Sequence, residues 1–73
     1  MKSYLYQAFD ELIVDAELGE YRTYGITLTS DAGVTSIHDI SLCGETVVGA
    51  AARFNEHQLC GVHFRDAVED LLG

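Results

Sequence analysis

Seventy-three residues make one domain near the lower size limit for a single apolar core. A hydrophobic fraction of 48% with 22% charged residues is too apolar for a disordered chain. Twelve acids against four bases leave a net charge of −8, and Lys2, Arg22, Arg53 and Arg65 are scattered along the chain, so no basic patch exists. That balance argues against binding to nucleic acid or to anionic membranes, and it fits a cationic partner or simple solubility.

The N-terminus lacks an apolar signal core with a cleavage site, and no run approaches the roughly 18 apolar residues of a membrane span, so a cytoplasmic protein is expected. Residues 4–14 allow two readings. Leu5, Ala8, Phe9 and Leu12 follow Ser3 at helical spacing, whereas Leu12-Ile13-Val14 is strand-like, and the second half is taken as strand. Asp15-Ala16-Glu17-Leu18-Gly19 is polar and ends in glycine, as a hairpin connection does. Residues 20–30 are the clearest strand, rich in Thr, Tyr and Ile, with Tyr24, Ile26 and Leu28 expected in the core and the threonines in water. Gly25 in its middle predicts a bulge or a large side chain packed over it. Ser30-Asp31-Ala32-Gly33 suits a tight turn that returns residues 34–38 antiparallel. His38, following that strand, reads as an ordinary surface or turn histidine.

Near residue 42 the apolar spacing changes from every second position to every third or fourth. Val47, Ala50 or Ala51, and Phe54 share one face of a helix over residues 44–57, capped by Ser41 or Cys43. Gly44 and Gly49 weaken it by up to about 1 kcal/mol each relative to alanine, and Gly49 would permit close approach to the sheet. A second helix over residues 61–71 places Phe64, Ala67, Val68, Leu71 and Leu72 on a buried stripe, with Arg65, Asp66, Glu69 and Asp70 opposite. Segregated strands and helices predict an α+β domain, a three-stranded antiparallel meander packed through one face on two C-terminal helices (βββαα).

Cys43 and Cys60 flank the first helix, which would hold them roughly 20 Å apart, so both are expected as reduced thiols. His57, Cys60 and His63 stand three apart, and imidazole and thiolate are zinc ligands. The fourth ligand and the paired-cysteine knuckle are missing, so the set reads as cap, core and surface residues, and no metal or cofactor is expected. Cys60 at a predicted helix start would have a lowered pKa, but a thiol enzyme also needs a histidine within reach and an oxyanion site. The chain has no pocket-sized insertion, and no catalytic residue is assigned.

Glu69 and Asp70 oppose the dipole of the last helix at a cost of about 0.3–1 kcal/mol each when exposed. They read either as a solvated face with an Arg65–Glu69 pair or as acids that meet an arginine from the sheet or from another chain. Tyr4, Tyr6, Tyr21 and Tyr24 supply more aromatic surface than one small core needs. Tyr4, Tyr6, Tyr21, Glu69 and Asp70 are therefore the interface candidates. The expected function is a non-enzymatic protein-interaction or regulatory module, a homodimer or the binder of a protein partner. A small zinc domain through His57, Cys60 and His63 and a thiol-dependent enzyme are the alternatives.

Gly19-Glu20-Tyr21, Thr23-Tyr24-Gly25-Ile26, Ile40-Ser41, Phe54-Asn55, Gln58-Leu59 and the block from His63 through Phe64-Arg65-Asp66-Ala67-Val68-Glu69-Asp70 to Leu71 carry a resemblance. Over residues 15–72 the chain resembles a small family of clostridia-like (Firmicutes) bacterial proteins whose domain has no known function. The family usually has Ser-Pro where this chain has Cys60-Gly61, a pairing suited to a helix N-cap and first turn. The resemblance implies a fold, a bacterial cytoplasmic setting and a plain capping role at Cys60; it supplies no activity.

Overall fold

Alternating apolar residues in the first half of the chain need a common cover, and the second half supplies it. The computed structural model describes residues 3–72. Its elements run β1 (Leu5–Asp15), β2 (Gly19–Ser30), β3 (Gly33–Ser41), α1 (Gly44–Glu56), a 3₁₀ turn (Gly61–His63) and α2 (Phe64–Leu71). The strands form one antiparallel sheet in the order β1-β2-β3, which is the expected βββαα arrangement. Tyr6, Ile26, Leu28 and Ile40 from the sheet meet Val47, Ala50 and Ala51 of α1 and Phe64 and Val68 of α2 in the core. The Tyr6 ring sits edge-on to Phe54 and Phe64, with centroids 5.4 and 5.3 Å away.

Several elements depart from the sequence reading. β1 is strand from its start, because the alternation Tyr4, Tyr6, Ala8 turns Tyr6 into the core and overrides the helical spacing of Leu5, Ala8 and Leu12. The third strand does not stop at His38 but continues through Ile40 to Ser41, since it bulges before resuming its pairing. Gln58, at φ 47, ends α1 in a Schellman arrangement, with the Leu59 N–H donating to Phe54 O and the Gln58 N–H to Asn55 O. Cys43 occupies the N-cap position of α1 with no side-chain cap bond, and the Ser41 Oγ accepts the Cys43 N–H instead. Leu72 lies beyond α2 and is 62% exposed, so the buried stripe closes at Leu71.

The bulge sits opposite Gly25. Ile26 pairs with Ile37 and Tyr24 with Ser41, so β3 places His38, Asp39 and Ile40 against a single residue of β2. Asp39 takes the left-handed conformation at φ 53, which aspartate tolerates better than most residues. Its carboxylate accepts a hydrogen bond of 2.8 Å from the Thr23 hydroxyl. Thr23 is consequently fully buried, whereas the threonines were expected in water. Both features anticipated at Gly25 occur together, the bulge on one side and the Phe9 ring over it on the other.

β3 ends its pairing at Tyr24, and the Tyr24 ring lies against Gly44 at the start of α1. The distal parts of β1 and β2 therefore extend beyond both β3 and the helices as a two-stranded arm. The molecule is correspondingly long, 46 × 23 × 17 Å.

Two glycines make opposite predictions. A Cβ on Gly25 would collide with the Ile37 carbonyl oxygen and lie 2.5 Å from the Phe9 Cζ. Gly25→Ala should therefore cost about 1–3 kcal/mol, as overpacking against backbone does. A Cβ on Gly49 meets nothing closer than the Arg53 guanidinium at 3.7 Å, so this glycine does not serve a close approach to the sheet. Gly49→Ala should stabilise by about 0.5–1 kcal/mol. Urea unfolding of the two variants beside the parent checks both signs; a neutral Gly25→Ala would mean that the slot over Gly25 yields.

Candidate functional site: the open edge of the sheet

An outer strand exposes every second pair of backbone N–H and C=O groups, and these need partners or water. At the start of β1 two side-chain amides from the end of α1 supply them. Asn55 accepts the Tyr6 N–H at 2.7 Å and donates to Tyr6 O at 2.8 Å. Gln58 accepts the Tyr4 N–H at 3.2 Å and donates to Tyr4 O at 3.0 Å. Each amide mimics one residue of a neighbouring strand.

The register of β1 with β2 is unbroken from Leu5↔Thr29 to Asp15↔Gly19. Because Tyr4 and Tyr6 face the outer edge, the same alternation turns the backbone groups of Ala8, Asp10, Leu12 and Val14 to it as well. Among the described residues no hydrogen bond joins these later groups to α1, whose amides reach no farther than Tyr6. Leu12 is 54% exposed, Val14 74% and Leu18, at the arm's turn, 77%. Asp15 shapes that turn by accepting the Glu17 and Leu18 N–H groups at 2.8 and 2.9 Å, and these bonds, Leu18 first, hold its carboxyl below the usual aspartate value.

Charges sit on both faces of the arm. Asp10 pairs with Arg22 across the strands on the helix side. On the open face, the missing side chain at Gly25 lets groups from β1 and β3 meet across β2. His38 Nδ1 lies 3.1 Å from a Glu11 carboxylate oxygen, and the His38 ring packs edge-on to Phe9 at 5.2 Å. His38 is thus an exposed surface histidine, one of the two readings the sequence allows, and it stands within β3 rather than in a turn, as part of a cross-sheet contact. Asn55, Gln58, Glu11 and His38 were all missed as site residues. Their partners lie far away in the chain, 49 positions for Asn55 and 54 for Gln58, and no local pattern announces them.

The interface candidates part company. Tyr6 is 2% exposed and donates its hydroxyl to Leu59 O at 2.5 Å, so it belongs to the core and presents no contact surface. Burial raises its phenol pKa. Tyr4 is half-buried, with its hydroxyl 3.6 Å from Cys60 Sγ, and that contact also raises its pKa. Tyr21 is half-buried on the arm, where partial burial, then Asp39 and Asp15, raise its pKa. Glu69 and Asp70 are exposed on α2. Among the described residues neither meets a cation within ion-pair distance, and the expected Arg65–Glu69 pair does not form.

His57 is the C-cap of α1, Cys60 precedes the 3₁₀ turn, and His63 ends it. Among the described residues no three His, Cys, Asp or Glu side chains gather as a metal-binding group. Neither cysteine is in a disulfide. A groove of about 300 Å³ beside the 3₁₀ turn is lined by Tyr4, Leu28, Ser30, Ala32, Thr35, Gly61 and Val62, with no acid or imidazole among them. No helix among the described residues is long and apolar enough to cross a membrane.

No protein-family model, curated protein or solved structure matches the chain. The Cys43 thiol has a lowered pKa. The Thr46 hydroxyl and N–H, at the start of α1, favour the Cys43 thiolate. Thr46→Val should therefore slow iodoacetamide labelling of Cys43 at neutral pH by roughly a few-fold, because less thiolate is present. Peptide mapping after timed labelling reads this, and an unchanged rate would show that Thr46 does not assist.

Proposed function

We propose that this chain is a non-enzymatic protein-interaction or regulatory module of the cytoplasm, and that the β1–β2 arm is its contact element. One observation carries the reading. Leu12, Val14 and Leu18 lie exposed on a projecting strand pair whose outer backbone groups have no partner within the described chain. Clustered apolar surface beside open backbone donors and acceptors is costly in water and is relieved by a protein surface. The partner is another protein or a second copy of this chain, and mass in solution separates the two.

Replacing both exposed residues, Leu12→Ser with Val14→Ser, should leave stability within about 0.5 kcal/mol of the parent, since neither side chain is in the core. The parent should run by light scattering as a species larger than 8.0 kDa, or retain a specific protein in a pull-down, and the double variant should lose that property. A parent that stays a monomer and retains nothing would remove the reading.

A further inference from the structure

The arm offers a strand-shaped vacancy with defined ends. Its inner limit is set where Asn55 occupies the edge at Tyr6, and its outer limit where Asp15 turns into the hairpin loop. Between them Ala8, Asp10, Leu12 and Val14 each hold one N–H and one C=O toward the outside. An added strand would find backbone partners at every second residue, the geometry by which extended segments join an exposed sheet edge.

Charge decides what kind of segment fits. Residues 10–22 carry the acids Asp10, Glu11, Asp15, Glu17 and Glu20 against the single base Arg22. Two arms laid edge to edge would bring these acids together, so the same charges that disfavour a second copy attract a basic strand. The side chains beside the edge alternate in character. Leu12 and Val14 present apolar surface on the helix side, and Glu11 and Asp15 lie on the opposite face with Ile13 between them.

We propose that the outer edge of β1 from Ala8 to Val14 takes up an extended, basic segment of a partner protein as a fourth antiparallel or parallel strand. Its apolar residues cover Leu12 and Val14, and its lysines or arginines lie in the negative field of Asp10, Glu11, Asp15, Glu17 and Glu20. The proposal rests on the interaction reading above and gives that partner its chemistry.

The probe is a synthetic peptide of alternating lysine and valine with blocked ends, and its glutamate–valine counterpart is the control. Amide hydrogen exchange of the full chain is followed by NMR. The basic peptide should slow exchange at Ala8, Asp10, Leu12 and Val14 by at least about tenfold, and the acidic peptide should not. Raising the ionic strength from about 0.01 M to about 1 M should weaken the effect, because the attraction is between exposed charges.

Leu12→Pro removes one outward donor, and Leu12→Lys places a cation on the edge without touching the core; each should lower affinity for the basic peptide by about tenfold or more. The lysine variant keeps the test open if the proline variant does not fold. Protection elsewhere on the chain, or equal binding by Leu12→Lys, overturns the proposal. If the parent captures a protein through Leu12 and Val14 but the basic peptide protects nothing, the interaction reading stands and the basic strand falls. Concentration-dependent protection of the same amides without peptide assigns the edge to a second copy, which also overturns it.

Discussion

The contact on which this architecture depends is the pair of amide bridges from Asn55 and Gln58 to the backbone of Tyr6 and Tyr4. A helix packed on a sheet through apolar side chains can slide or rotate at little cost, because the hydrophobic effect has no direction. Four hydrogen bonds to fixed backbone groups remove that freedom. They hold the end of α1 beside the first residues of β1 and so set where Tyr6 meets Phe54, Leu59 and Phe64. The position of Gln58 makes the same point. It adopts the left-handed conformation at the end of α1, where glycine is the usual choice. Glycine would fit the turn with less strain but could not reach Tyr4.

A second constraint shapes the sheet itself. The bulge opposite Gly25 lets β3 depart from β2 and return at Ser41, so that Ile40 enters the core while Asp39 reaches Thr23. On the open face, where Asp39 and Thr23 meet, the same missing side chain admits Phe9 and allows Glu11 to meet His38 over β2. One glycine thereby links three strands on the face that the helices leave uncovered. The exposed His38–Glu11 and Arg22–Asp10 pairs contribute little stability individually, since charges in water are well screened. Their value lies in orienting the root of the arm.

Much of this fold is legible in the sequence because it follows from periodicity. The change of spacing near residue 42 separates sheet from helices, and Val47, Ala50, Ala51, Phe64 and Val68 occupy the buried positions that the helical stripes imply. Gly25 signals its own bulge. What stays hidden depends on contacts distant in the chain. Tyr6 looks like spare aromatic surface until Leu59, Asn55 and Phe64 are brought around it. Thr23 looks like a solvent-facing threonine until Asp39 swings over it in a conformation that no local pattern specifies. The site is less legible than the fold for the same reason: Leu12-Ile13-Val14 reads as strand, but whether its edge is covered depends on how far the amides of α1 reach.

That reach also gives the exposed half of β1 its meaning. A chain of this size has few apolar residues to spare from its core, and a two-stranded ribbon has marginal stability when it stands alone. Leaving Leu12, Val14 and Leu18 in water at the end of such a ribbon weakens the free domain relative to a shorter hairpin. If blocking the edge were the sole requirement, continuing the pattern of Asn55 and Gln58 along the strand, or shortening the strand, would meet it. Instead the protection stops after Tyr6, and the uncovered part carries acids on both faces of the arm. Acids at an edge discourage pairing between identical copies while leaving the backbone groups accessible to a strand of opposite charge. The division of β1 into a latched half and an open half thus runs along a single strand: the first half fixes the helix layer, and the second keeps its outer backbone groups open, which is what the proposed partner strand requires.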